Sequence, residues 1–598
     1  MNRRATLIPS PFARGIGTHA LALALSCAVT PSGLAQSDVA GAIASGGRTD
    51  SVTVFRARKI ITMERSNPTA TAVAIRGDRI VAVGSLDDVT KALGNSPRRI
   101  DGTFADKVVM PGFIEQHLHP LLALTLAVEV IAPEDWEVPG KVFKAARSSA
   151  EYLARLKSAA AAMRDPNEIL FTWGYHQYFH GKVTRRELDA ISRTRPIVVW
   201  HRSVHEMILN TPALKGLGIT RESVTGHGAA SEQSDWDKGH FFERGLELVA
   251  GKVMPALGSP ARMALALKQM AAILHQNGVT AINEPGALVT PELLQVYRAV
   301  LGAEDVPFYT FLIADGRAHY SKLGAGGALA ETERTITLAP RGKVSFFEKQ
   351  VKLLADGAIV SQLMQMTDGY TDGHKGEWIM TPEDLDAASR VYWDAGYQLH
   401  IHANGDAGLG TVLDILEKRM RENPRPDHRT VIVHFANSTE DQVRRIARLG
   451  AVVSANPYYV TGFADKFAQV GLGPERADAM VRLGSVEKAG VSFSLHSDLP
   501  MGPADPLYLA WCAVNRITQS GRAARPDLGV TVDGAMRAIT VDAAYSWRKE
   551  HELGSIAPGK IANLTILEQD PYAVDPKTLK DIPVWGTVFE GRKFPVER

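Results

Sequence analysis

Short apolar runs bounded by turn residues recur along the chain, and their surroundings change twice. Near the start, Ser51–Phe55, Lys59–Met63, Ala72–Ile75 and Arg79–Val83 follow one another at strand length, separated by turns such as Arg76-Gly77-Asp78, which predicts a small β-lobe. The same texture returns at the far end in Ala562–Leu567 and Val584–Phe589, after Gly554-Ser-Ile-Ala-Pro-Gly-Lys560. Between these ends the runs Ile197–Trp200, Thr280–Ile282, Phe308–Ile313, Val351–Leu354, Gln398–Ile401, Thr430–Val433, Ala451–Ser454 and Val491–Leu495 alternate with helical stretches, among them Pro260–Gln276, Pro382–Ala395, Leu409–Met420 and Thr439–Leu449. Alternating β and α with short connections predicts an α/β fold with a parallel sheet, and about eight such strands suit a closed (β/α)8 barrel of the TIM type. The stretch 127–260 is too long for one loop and predicts an inserted subdomain. The expected plan is a leader over 1–35, the first part of the β-lobe over 48–110, the barrel over 111–552, and the second part of the lobe over 553–598.

With 598 residues, 45% of them hydrophobic, the chain can bury a large core beside its appendages. A net charge of +2 from 67 basic and 65 acidic residues generates no strong long-range field, so neither nucleic acid nor an anionic membrane is an expected partner. Small molecules are the expected substrates, and a homo-oligomer stays open. Arg3, Arg4 and Arg14 precede the apolar run Ala20–Val29, which leads into Pro31-Ser-Gly-Leu-Ala35-Gln36. That is the three-part form of a secretory signal peptide, with a run too short to span a bilayer, and it predicts a periplasmic or secreted protein. Arg3-Arg4 followed by Leu7 is an incomplete twin-arginine pattern. Cys27 falls in the leader, so the mature chain keeps Cys512 alone and forms no internal disulfide.

Candidate chemistry sits where apolar runs end, as it should if catalytic groups stand at the C-terminal ends of barrel strands. In Val108-Val-Met-Pro-Gly-Phe-Ile-Glu-Gln-His-Leu-His-Pro120, His117 and His119 are two residues apart and share one face of an extended strand. They form either a chelating pair or a strand end whose imidazoles are merely hydrogen-bonded. His400 and His402 repeat that geometry. Lys352, flanked by Val351, Leu353 and Leu354, is costly to bury without a purpose, unless it is a solvated lysine before a turn. His434 ends the run Thr430–Val433, and Asp498 follows Phe493-Ser-Leu-His-Ser497.

The block from Val108 to Pro120 resembles the PGFID-x-H-x-H signature of the amidohydrolase superfamily, metal-dependent hydrolases on a (β/α)8 barrel. Glu115 replaces the usual Asp, a change expected to matter little for metal binding. Gln350–Gly357 is similar to VKxxxDG, and His402, Gly405, Asp406 and Ala407 match HxxGDxA, of the family 3 branch that includes N-substituted formamide deformylase. Phe171-Thr-Trp-Gly-Tyr175, Leu188-Asp189, Arg195–Val199 and His205-x4-Asn210-x2-Ala213-Leu214 follow the same branch. So does Gly554–Lys560, with Asn563 in place of a usual Asp.

The resemblance implies a composite β-sandwich built from both chain ends beside the barrel. It implies that His117, His119, Lys352, His402, His434 and Asp498 are metal ligands, with Asp498 also the general base and Lys352 carboxylated if two ions are bound. Val433 stands where the family has Glu, which removes a carboxylate behind His434. His400 becomes a substrate contact or a residue behind the ligands. Trp173, His205 and Asn210 become pocket residues, although Trp173 equally suits core packing and Asn210 a helix cap. Imidazoles with a carboxylate suit Zn2+, ahead of Mn2+ or Fe2+.

The implied activity is hydrolysis of a carbon-nitrogen bond in a small molecule, a non-peptide amide, N-formyl group or cyclic amide. An ester, lactone or carbamate hydrolase at the same site is the alternative. A non-catalytic small-molecule binding or regulatory protein on this scaffold is another. N-terminal sequencing of the exported protein is expected to begin at Gln36; a sequence beginning at Met1 would overturn the leader.

Overall fold

The protein, described over residues 51–597 by a computed structural model, curls eight parallel strands into a nearly closed barrel. In sequence order, and paired in that order, they are Phe113–Glu115, Val279–Ala287, Tyr309–Asp315, Val344–Leu354, Gln398–Ala403, Val431–His434, Val452–Ala455 and Phe493–Leu495, the first to eighth barrel strands. The leader expected over 1–35 lies outside the described residues. The strands read as nearly unbroken apolar runs because the interior fills one face and helices cover the other. The helices begin where the chain provides caps. Ser259, Thr290 and Thr381 each accept a backbone N–H from the first turn and are followed by Pro at the first helical position. Thr439 closes a reciprocal capping box with Gln442.

The run Ile197–Trp200, expected among the barrel strands, lies elsewhere. Residues Ile197–His201 pair with Leu170–Tyr175 and Glu206–Leu209 inside the inserted region, and Phe113–Glu115 completes the barrel instead. A short apolar run fits either sheet equally well; only its neighbours decide. The inserted sheet has six strands, running Ser234–Asp235, His240–Phe242, Glu206–Leu209, Ile197–His201, Leu170–Tyr175, Glu129–Val130. Arg202, fully buried, fastens it to the barrel. Its guanidinium lies 5.0 Å from the Trp136 ring and 4.7 Å from the Trp173 ring, pairs with Glu134 at 2.7 Å, and donates to the Pro500 and Met501 carbonyls at 2.6 and 2.9 Å.

Both chain ends enter one seven-stranded sheet, in which Leu564–Leu567 pairs antiparallel with Arg98–Pro111. The two runs expected at Ser51–Phe55 and Lys59–Met63 form one strand, Val52–Ile61, with register shifts between Phe55 and Lys59 that bend the sheet. Phe55, Ile60, Val73 and Phe104 share a core with Leu564, Ile566 and Val588 from the other end of the chain. The strand Arg98–Pro111 then leads through Gly112 into the barrel. A Cβ at Gly112 would lie 2.1 Å from Thr280 Oγ1, so the turn into the first barrel strand has no room for a side chain.

The first and eighth barrel strands share no ladder among the described pairings. Glu115 joins them instead. Its buried carboxyl accepts the Ser497 N–H at 3.0 and 3.2 Å and the His117 N–H at 3.3 Å, while the Asp498 N–H donates to the His117 carbonyl at 2.9 Å. Burial pushes the Glu115 carboxyl up to about 8, against the pull of these donors. Glu115→Ala would leave two buried N–H groups without an acceptor and is expected to cost about 2–5 kcal/mol in denaturant unfolding. Glu115→Gln, which keeps one acceptor oxygen, is expected to lose less; equal losses would remove the seam from this account.

Candidate metal centre

The chain beyond the first barrel strand carries His117 and His119, and the seam sets Asp498 against them. The two Nε2 atoms are 3.1 Å apart, and each is 3.4 Å from Asp498 Oδ1. Ligand atoms about 2.0–2.1 Å from a tetrahedral ion lie about 3.3–3.4 Å from one another, so these three atoms span one face of such a site. Burial pushes His117 well below the ordinary imidazole range, which leaves the ring neutral with a lone pair to give. Lone pairs converging in a buried space repel one another, and a cation between them turns that repulsion into binding. Asp498 and His434 both hold left-handed backbone, at φ 54° and 75°. Such backbone costs about 1–3 kcal/mol where no glycine relieves it, and the surrounding structure must impose it.

Beside that face stand His402, His434 and Lys352. His434 Nδ1 is 3.7 Å from Asp498 Oδ2, and its ring centroid is 4.4 Å from that of His402. Lys352 is buried, with no hydrogen-bond partner for Nζ among the described residues. Burial lowers its pKa to about 7, although Asp498 and Asp315 pull the other way. The motifs that carry Lys352 and His402 interlock through Asp356. Its carboxylate accepts N–H groups from Gln365, Asn404 and Gly405 at 2.9, 2.9 and 2.8 Å. A Cβ at Gly405 would meet the Gln365 carbonyl oxygen at 1.9 Å, which accounts for glycine in that motif. Asn404 Nδ2 lies 2.8 Å from His402 Nε2 and donates to the Gly357 carbonyl at 3.1 Å.

These side chains line a cavity of about 280 Å3 together with His205, Arg317 and Tyr459. His205 reaches it from the inserted subdomain. Burial disfavours its charge, but the Glu243 carboxylate at 2.8 Å outweighs that and raises its pKa. Arg317, also on the cavity wall, pairs with Asp315 at 3.1 Å.

The other three residues expected near substrate are not on the cavity wall. His400 lies deeper in the barrel, where its Nε2 donates to Gln350 Oε1 at 2.9 Å. The Gln350 amide nitrogen is itself committed to the Trp547 carbonyl. Trp173 is fully buried against Trp136 and Arg202. Asn210 caps the helix Thr211–Gly216, accepting the Ala213 N–H at 2.9 Å and donating to the Arg195 carbonyl at 2.9 Å.

His496 was absent from the residues expected here. Its ring stacks on His117 at 4.7 Å, and its Nε2 lies 3.3 Å from His434 Nδ1. The signal was present: His496 precedes Asp498 by two residues, the same spacing that singled out His117 and His119. Tyr459 and Arg317 lie in helices after the seventh and third barrel strands, where spacing carries no such signal.

Residues 105–593 match the model of the amidohydrolase family. N-substituted formamide deformylase of Arthrobacter pascens is 26% identical over 547 residues, covering 89% of this chain and 96% of that protein. Protein LONG AFTER FAR-RED 3 of Arabidopsis thaliana is 26% identical over 532 residues, covering 86% of each. In fold, the chain is similar to the crystal structure of an uncharacterized metal-dependent hydrolase from Pyrococcus horikoshii OT3, with a TM-score of 0.67 and 22% identity over 88% of this chain and 99% of that one. The family match spans the barrel, the inserted subdomain and the C-terminal part of the composite lobe, and with the histidine-rich candidate metal site it identifies this chain as a hydrolase of the amidohydrolase family.

Proposed function

We propose that the protein is a metal-dependent hydrolase of a carbon-nitrogen bond other than a peptide bond in a small molecule, acting outside the cytoplasm after loss of its leader. The observation that carries the reading is the face formed by His117, His119 and Asp498 beside the partnerless, buried Lys352. The named activity of the Arthrobacter pascens relative supports an amide-type substrate.

In this reading His117, His119 and Asp498 would hold one divalent cation, Zn2+ by the donor set, and His402 and His434 would hold a second where two are bound. When bound, the metal polarises the scissile carbonyl and acidifies water. The lowered pKa of Lys352 keeps much of it as the free amine, the form that adds CO2. The amine nitrogen bonds the carbon of CO2 and releases one proton to solvent, so the neutral side chain becomes an anionic carbamate with two oxygens able to act as ligands. Asp498 accepts the proton of the attacking water and returns it to the leaving nitrogen, which cannot depart as an anion. His205, paired with Glu243, faces the substrate across the cavity.

His117→Ala and His119→Ala are expected to lose metal and activity together in a folded protein, by more than the roughly 10–100-fold typical of residues behind the ligands. Elemental analysis finding unchanged metal in both variants would sink the centre. Lys352→Arg is expected to fail as badly as Lys352→Ala, because guanidinium keeps the charge but forms no such carbamate; a fully active arginine variant with unchanged metal content would remove Lys352 from the ligand set. Turnover assays spanning N-formyl amines, N-acyl amino acids, cyclic amides, esters and lactones test the bond. Activity confined to esters and lactones would overturn the carbon-nitrogen assignment.

A further inference from the structure

Behind His434 runs a chain of buried polar groups whose direction can be read from its far end. The Ser546 hydroxyl donates to the Ala543 carbonyl at 2.8 Å, and a carbonyl only accepts. Ser546 Oγ is therefore left to accept, and the Gln116 amide nitrogen donates to it at 3.4 Å. That orientation turns Gln116 Oε1 toward Ser454, whose hydroxyl donates to it at 2.5 Å. Having used its one proton, Ser454 Oγ accepts from His496 Nδ1 at 2.7 Å. In the neutral ring, His496 Nε2 is then an acceptor, and it lies 3.3 Å from His434 Nδ1. Gln116, Ser454, His496 and Ser546 are all buried, so water does not compete for these positions.

We propose that His496 is a positioning residue that holds His434 in one tautomer, with the proton on Nδ1 donated to His496 and the lone pair on Nε2 kept for a cation. The inference rests on the reading above that His434 is a metal ligand. It explains what stands behind His434 in a chain where Val433 supplies no carboxylate: a ligand histidine needs a partner on its second nitrogen to fix ring and tautomer, and a neutral imidazole oriented by Ser454 fills that place. Tyr459 Oη is also 3.3 Å from His434 Nδ1. Its hydroxyl can turn either way, so it does not define the tautomer by itself.

The test uses the purified, metal-loaded protein and three variants. His496→Phe keeps a flat ring against His117 but cannot accept a hydrogen bond. His496→Gln can accept from His434 while donating to Ser454. Tyr459→Phe removes the competing hydroxyl. Metal retention against graded chelator is expected to weaken about 10–100-fold in His496→Phe, the usual cost of losing such a partner, and to recover most of that in His496→Gln. Nitrogen-15 spectra of histidine-labelled protein, with the His434 signals assigned by their loss in His434→Ala, are expected to place the proton on Nδ1 in the wild type and in Tyr459→Phe. A proton on Nε2 in the wild type, or metal retention unchanged in His496→Phe, would overturn the proposal. Loss of a whole metal equivalent in His496→Phe at saturating metal would overturn it in favour of His496 as a ligand itself. If His434→Ala kept full metal content, the ligand reading would fall first, and the proposal with it.

Discussion

The site depends on one carboxyl that bridges two strands far apart in sequence. Glu115 accepts the backbone N–H of Ser497, 382 residues away, as well as that of His117. Through that contact the barrel closes at the place where its two richest ligand segments meet. Beside it, the Asp498 N–H donates to the His117 carbonyl and joins the same two segments. With it, three donor atoms converge to within 3.4 Å. A carboxyl buried this deeply is costly to ionise, and its backbone donors are what make the position tolerable.

The rest of the architecture resists the tendency of that cluster to spread. Arg202 ties the inserted subdomain to the carbonyls of Pro500 and Met501, just beyond Asp498, and two tryptophans hold the guanidinium in place. Asp356 ties the loop after Lys352 to the loop after His402. Both devices spend a buried charge on geometry, the kind of arrangement that keeps ligand atoms within a few tenths of an ångström of their working positions. The inserted subdomain contributes to the cavity through His205, while most of its buried residues serve its own sheet.

Much of this was legible in the sequence wherever a local rule reaches far enough. The period of two along a strand put His117 with His119, and the same period, carried one motif further, would have added His496 to Asp498. The helical stretches expected at Pro260–Gln276, Pro382–Ala395, Leu409–Met420 and Thr439–Leu449 lie within a few residues of the observed helices. The alternation of strands and helices implied the barrel, and the family resemblance implied one lobe shared by two β-textured stretches far apart in sequence.

What the sequence could not decide was partnership. Ile197–His201 is as apolar as any barrel strand, and only its hydrogen-bonded neighbours assign it to the inserted sheet. His400 obeys the same spacing rule as His402 yet lies deeper, bound to Gln350, because depth along a strand is set by register with adjacent strands. Asn210 and Trp173 have side chains that suit a cap, a core or a pocket, and burial chose the first two. Glu115 looked like a neutral replacement for aspartate until the seam gave it donors from the other end of the barrel. Residue type and spacing determine which chemistry a side chain can do and which face of its own element it occupies; which other side chains it meets is fixed by closure of the barrel, a long-range event that no local pattern encodes.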